Sequence, residues 1–229
     1  MLPLLQLCDS LLPIGGFAYS DGLEAANDQL RVDTTGEGDC IGLLRDWLAV
    51  SLDETIGHLE GPAVWHAYQA IDTGEWSRVV DLDAQLTALR PSASLRRSSR
   101  TMGSRLLTTW QTMRPHPRCA HLLELAKARA IGPTLPIAFA AACVSNGIER
   151  RVAVESYAYT RLAATISAAM RLMPIGQAAA HAALAGVLDR VPGVIDAAVR
   201  RDAALTSFTP MMDIAAMTQQ YLHSRLFRS

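Results

Sequence analysis

Apolar residues recur along this chain at helical rather than strand spacing. Leu43, Leu44, Trp47, Leu48 and Leu52 fall at i, i+1, i+4, i+5 and i+9, one face of a helix. Val64, Trp65, Tyr68 and Ile71 repeat the pattern, with Pro62 suited to a first turn. Trp76–Leu89 and Ser94–Met113 predict the next two helices, the second stopped by Pro115 and Pro117. Cys119–Ile131 ends at Gly132-Pro133, and Thr134–Ser145 reads as a buried, small-residue helix closed by Asn146-Gly147. Glu149–Leu172, Pro174–Leu188 and a shorter Met211–Tyr221 complete the series, with Arg31–Gly42 and Val191–Pro210 as the expected loops, the second around a short Ala-rich helix. No segment alternates as a strand would. The expectation is an all-α single domain over 1–229, a bundle of roughly ten helices.

Composition narrows the chemistry. The 229 residues are 50% apolar and carry a formal net charge of -1, which suits a folded core and not the broad basic footprint of a nucleic-acid binder. Lys127 is the only lysine among 21 Lys and Arg residues, so no Gly-Lys-Ser/Thr phosphate loop exists and the chain predicts no nucleotide or other cofactor of its own. Cys8, Cys40, Cys119 and Cys143 form no CxxC pair and read as free thiols. The first residues lack a secretory pattern, and the most apolar stretch, Leu135–Ile148, is too short to span a bilayer. A cytoplasmic protein without membrane contact is expected.

Three clusters invite a chemical reading. His58 and Glu60 form the HxE of zinc deaminases, but the P-C-x-x-C those enzymes need is missing, so the pair is assigned to a helix start. His116, Cys119 and His121 hold metal-ligand types around a proline-rich turn, so a weak nickel or zinc contact, or an enzyme built on them, stands beside the reading as a solvated turn. Arg90, Arg96, Arg97, Arg100, Arg105 and Arg114 are the densest charge feature, either a solvated helix face or a dock for an acidic protein. Aromatics for base stacking are not interleaved there. Asp81 and Asp83 point to different sides of their helix, and no G-x-S-x-G or H-E-x-x-H occurs. The residues describe an interaction protein more than an enzyme.

The two ends are more specific. In Leu12-Pro13-Ile14-Gly15-Gly16-Phe17-Ala18-Tyr19-Ser20-Asp21-Gly22-Leu23-Glu24, Pro13 ends a first helix, the glycine pair opens backbone conformations closed to other residues, and Ser20 or Asp21 can cap a second helix in a box with Glu24. As a string this segment resembles the opening signature of the urease accessory protein UreF family. Arg96–Leu107 with Gly103, Arg171-Leu172-Met173-Pro174-Ile175-Gly176-Gln177, and the ending Ser224-Arg225-Leu226-Phe227-Arg228-Ser229 resemble further family motifs in the same order.

That resemblance implies an all-α, non-catalytic homodimer. Such a protein binds the accessory protein UreD/UreH, recruits with it the nickel-carrying GTPase UreG, and helps deliver nickel to apo-urease. It also implies roles for residues. Segment 1–24 and tail 222–229 become docking ends, with Phe17, Ser20, Glu24, Arg225, Leu226, Phe227, Arg228 and Ser229 toward UreD/UreH. Arg96, Arg100 and Tyr159 fall on the GTPase side, and Phe17 also lines the nickel path. A core aromatic beside a tight turn is the other reading of Phe17, and Gly103 and Gly176 are readable as close-packing positions. Gln219-Gln220 and His223 depart from the family's His-Glu tail.

Overall fold

The computed structural model describes residues 1–33, 39–201 and 204–228. Part of the expected first loop, 34–38, and Ser229 lie outside the described residues. Those described contain twelve α-helical segments and no strand: α1 Leu2–Leu7, α2 Leu23–Asp33, α3 Cys40–Val50, α4 Gly61–Thr73, α5 Trp76–Ala88, α6 Ala93–Met113, α7 Pro117–Lys127, α8 Leu135–Val144, α9 Arg150–Leu172, α10 Gln177–Leu188, α11 Val191–Arg201 and α12 Pro210–Thr218. The all-α, single-domain expectation is met. Among the described residues no helix is long and apolar enough to cross a membrane.

The centre is α8. Its ten residues are all buried, wrapped by α4, α6, α7 and α9. Alanines at 138 and 140–142 let these neighbours come close, as the small-residue pattern predicts. Gly103 on α6 serves the same contact: a Cβ there collides with Pro133 O and comes within 2.6 Å of Thr134 C. Gly176 does not, since a Cβ there meets nothing within 4 Å. Asp83, buried on α5, accepts from the Gly132 and Thr134 amides at 2.9 Å each, tying α5 to the entry of α8. Burial nevertheless pushes its carboxyl pKa up.

Several boundaries differ from the periodicity. Helix α10 starts at Gln177 and not Pro174, because Met173 before the proline is extended (φ -115°, ψ 145°). Helix α7 stops at Lys127, since Arg129 turns left-handed (φ 59°). Val191–Arg201, expected within a loop, is a full helix, with Ile195 buried in the core. Pro62 stands in the first turn of α4, as expected, but α4 does not start after a break. From Cys40 to Thr73 the chain is one helical run with a π-helical stretch at Ser51–Glu60. At its end the Gly61 amide reaches back five residues to Ile56 O. A Cβ on Gly61 would sit 2.6 Å from that oxygen, and Pro62, next in line, has no N–H to place. His58 and Glu60 therefore lie where α4 starts, as expected, in the last turn of the π-helical stretch that leads into it.

Candidate protein-docking site

The chain ends meet. After α1 the backbone turns through Gly15 (φ +79°), forms a 3₁₀ turn at Gly16–Ala18, and turns again at Asp21 (φ 52°) and Gly22 (φ +97°). A Cβ on Gly22 would lie 2.8 Å from Ala216 N on α12, so that glycine is required for both conformation and space. From the other end, α12 passes through a 3₁₀ turn, Gln219–Tyr221, into the tail.

One carboxylate joins the two. Glu24 accepts the Leu226 amide at 2.5 Å and the Phe227 amide at 3.1 Å. Gln219 donates to Glu24 at 2.9 Å, while its carbonyl accepts the Ser20 hydroxyl at 3.2 Å. The Arg228 amide adds a bond to Ala18 O at 2.9 Å. The expected capping box is thus not the use of Glu24: its side chain is spent on the tail, and Leu23 N finds Ser20 O through the backbone. Arg171, at the end of α9, donates to Phe17 O at 2.7 Å and lies over the Phe227 ring at 4.4 Å.

These bonds sort the family-like residues into two groups. Ser20, Glu24 and Phe227 are buried, inside the joint. Phe17 is 70% exposed and Leu226 53% exposed, with Arg225 and Arg228 also outside. Phe17 is therefore not a core aromatic. Arg105 on α6 lies over Gly15, and Met102 approaches Gly16. All four stretches that carry the family resemblance thus converge here: the corner, α6, the Arg171 segment and the tail.

A buried ionic network roots the corner in the core. Asp21 pairs with Arg161 of α9 at 2.5 Å; Arg161 also reaches Glu60 at 3.3 Å. Glu60 in turn pairs with Arg90 and accepts the Tyr157 hydroxyl at 2.9 Å. Burial alone pushes the Glu60 carboxyl up, but Arg161 and Arg90, with the Tyr157 hydroxyl, outweigh it and hold the pKa below the ordinary carboxylate range. Burial likewise raises Tyr157 well above a normal phenol, and the nearby Glu60 charge adds to this. The left-handed Asp21, a conformation that Asp tolerates better than most residues, is held by its ion pair.

Other expectations fall elsewhere. Arg96 donates to the Arg90 and Pro91 carbonyls at 2.6 and 2.7 Å, and Arg100 donates to the Thr87 hydroxyl at 3.3 Å. Arg90 is buried in the Glu60 pair, so it leaves the surface cluster. Tyr159 is 42% exposed on α9. His116, Cys119 and His121 do not converge. His116 Nδ1 caps α7 by accepting the Arg118 amide, the Cys119 thiol is buried against Ala141 O, and His121 stacks on Trp76 at 4.3 Å. Burial raises the Cys119 pKa, the opposite of an activated thiol. Among the described residues no group of three His, Cys, Asp or Glu side chains is placed to hold a metal ion. The metal-protein or enzyme reading of that turn is set aside.

Gln219 and Glu60 were not foreseen. Gln219 looked only like a departure from a family tail. Arg161 stands four residues after Tyr157 on one helix face, a spacing that placed a cation beside a buried phenol, but nothing local marked Glu60 as their shared partner.

Known proteins agree with the motif reading. A family model described as UreF matches residues 42–188. The urease accessory protein UreF of Methylibium petroleiphilum is 34% identical over 230 residues, covering 100% of this chain and 94% of that protein. Those of Cupriavidus metallidurans and Ralstonia pickettii are 32% and 31% identical, covering 100% and 99% of this chain and 97% and 96% of their own lengths. The chain therefore belongs to the UreF family of urease accessory proteins and is not itself an enzyme.

Proposed function

We propose that this chain is a docking scaffold for urease maturation: with UreD/UreH it recruits the nickel-carrying GTPase UreG, and the assembly delivers nickel to apo-urease. It acts as a homodimer in the cytoplasm. The observation that carries this reading is the terminal joint. Buried Ser20, Glu24, Gln219 and Phe227 fix a backbone from which Phe17, Arg225, Leu226 and Arg228 project. Such preorganisation lowers the ordering cost of binding. The segment 1–24 and tail 222–229 are the ends that meet UreD/UreH, and the buried residues serve by positioning. Ser229 extends the tail outside the described residues. Phe17, at the outer edge of the joint, is the candidate for the nickel path, with nickel as cargo. Arg96, Arg100 and Tyr159 remain assigned to the GTPase side.

A second feature supports protein contact. Phe208, Met211, Ile214 and Tyr221 are exposed around an apolar groove between α12 and the α2–α3 pair. Contiguous exposed apolar surface of this kind marks interaction faces. Co-expression with UreD/UreH followed by size-exclusion chromatography tests the reading: the two co-elute, and deletion of Arg225–Ser229 gives a folded chain that elutes apart. Full urease activation in a strain lacking this gene would overturn the assignment.

A further inference from the structure

The tail and α6 enclose a second feature that the joint does not use. A groove of about 810 Å³ runs between them, with Arg97 and Arg105 on one wall and Arg225 and Arg228 on the other. It adjoins a second hollow along α6 that shares Arg97 and Arg105 and adds Arg96 and Arg100. Among the described residues no carboxylate lines either one. Arg97, Arg105, Arg225 and Arg228 take part in no ion pair of the described residues, and all four are exposed. The chain as a whole is formally -1, so this is a local concentration of positive charge.

We propose that this arginine-lined groove docks an acidic, carboxylate-rich segment of a partner protein, an inference that rests on the scaffold reading and gives it a chemical specificity. The argument is charge complementarity. Guanidinium groups fork onto carboxylates, and arginine loses less order than lysine in doing so. The Thr101 hydroxyl lines the same groove, whereas those of Ser94, Ser98 and Thr218 already donate to backbone carbonyls. The volume suits a short peptide stretch and exceeds what one small ion needs. A nucleic-acid ligand is disfavoured by the near-neutral charge of the chain. The groove and the adjoining hollow bring together residues that the family resemblance divides: Arg96 and Arg100 are assigned to one partner, Arg225 and Arg228 to another, yet an acidic segment running from one into the other can touch both sets.

The test uses the full chain and a fluorescein-labelled oligo-glutamate peptide, read by fluorescence anisotropy. The native protein binds saturably, and affinity falls as salt rises. The double variant R97E/R228E, at exposed positions without an ion pair among the described residues, keeps its circular dichroism and melting curve but loses at least about tenfold in affinity. R78E, an exposed charge reversal on α5 outside both hollows, stays within about twofold. No saturable binding, equal loss in R78E, or tighter binding of a charge-matched single-stranded oligonucleotide would each overturn the inference. Co-elution with UreD/UreH is measured on the same native sample. If the peptide fails and co-elution holds, the groove assignment falls alone; if co-elution fails and the peptide pattern holds, the scaffold reading falls alone.

Discussion

Helix α8 and the terminal joint are held by opposite kinds of force. The ten residues of α8 are apolar or proline, all buried, and fixed by many non-directional contacts with four surrounding helices. The joint rests on a few directed bonds, most of them to the Glu24 carboxylate and to Gln219. A core of the first kind fails only with the fold. A joint of the second kind can open while the fold persists, which suits a surface that must meet other proteins.

The Glu60 network lies between these extremes and gives the largest expected effect. Glu60→Leu leaves Arg90 and Arg161 buried without their shared carboxylate, at a cost of about 3–5 kcal/mol. Urea unfolding of the soluble variant measures this, and a loss below about 1 kcal/mol contradicts the network's role. The acid response follows from the same group. A folded-state pKa held below the unfolded value makes the contribution complete above the ordinary carboxylate pKa of about 4. It is lost as pH falls through the folded value. Asp83, raised by burial, has the opposite slope. Melting temperature should therefore fall on acidification in the native chain, and Glu60→Gln should flatten that fall.

Breaking α8 ranks next. Gly103→Leu forces a side chain against the Pro133 and Thr134 backbone, which cannot rotate away, at about 3 kcal/mol. Thermal melts followed by circular dichroism read the loss. Gly176→Ala, at the extended N-cap of α10 with open space around its Cβ, has no such clash and should cost no more than about 1 kcal/mol, a control for glycine replacement without overpacking.

The same division explains what was readable in the chain. Periodicity marks α6 because its apolar face repeats locally, while α8 and α9 are legible from their apolar, small-residue and Ala-rich composition. Glu24 was assigned to a local capping box because a box needs only neighbours. Its true acceptor role lies 202 residues away at Leu226, a pairing that no local pattern encodes. Gln219 was passed over for the same reason. Pro62 marks the first turn of α4, but the π-helical stretch at Ser51–Glu60 that joins it to α3 leaves apolar spacing nearly unchanged and carries no sequence signal. Arg171 was part of a recognisable string, but its work, holding Phe17 O and the Phe227 ring, emerged only with the tail in place.

Opening the joint should be a smaller event. Glu24→Ala removes the acceptor of the Leu226 and Phe227 amides, but a freed tail regains water, so the global cost is about 1–2 kcal/mol. The signature is local. Hydrogen exchange at Leu226 and Phe227 should accelerate strongly while α8 amides keep their protection. Loss of protection throughout α8 would mean that the joint belongs to the cooperative core after all.

The smallest effect on stability is also the sharpest test of function. Phe17 is 70% exposed, and its part in the joint is made by its backbone carbonyl, which Arg171 binds. Phe17→Ala keeps that carbonyl and deletes only the projecting ring. The melt should shift by less than about 0.5 kcal/mol, whereas co-elution with UreD/UreH should weaken at least about tenfold if the ring is an anchor. A variant that melts like the native chain and still co-elutes fully would reduce Phe17 to a bystander of the turn. The docking role would then rest on Arg225, Leu226 and Arg228, where deletion of the tail can find it separately.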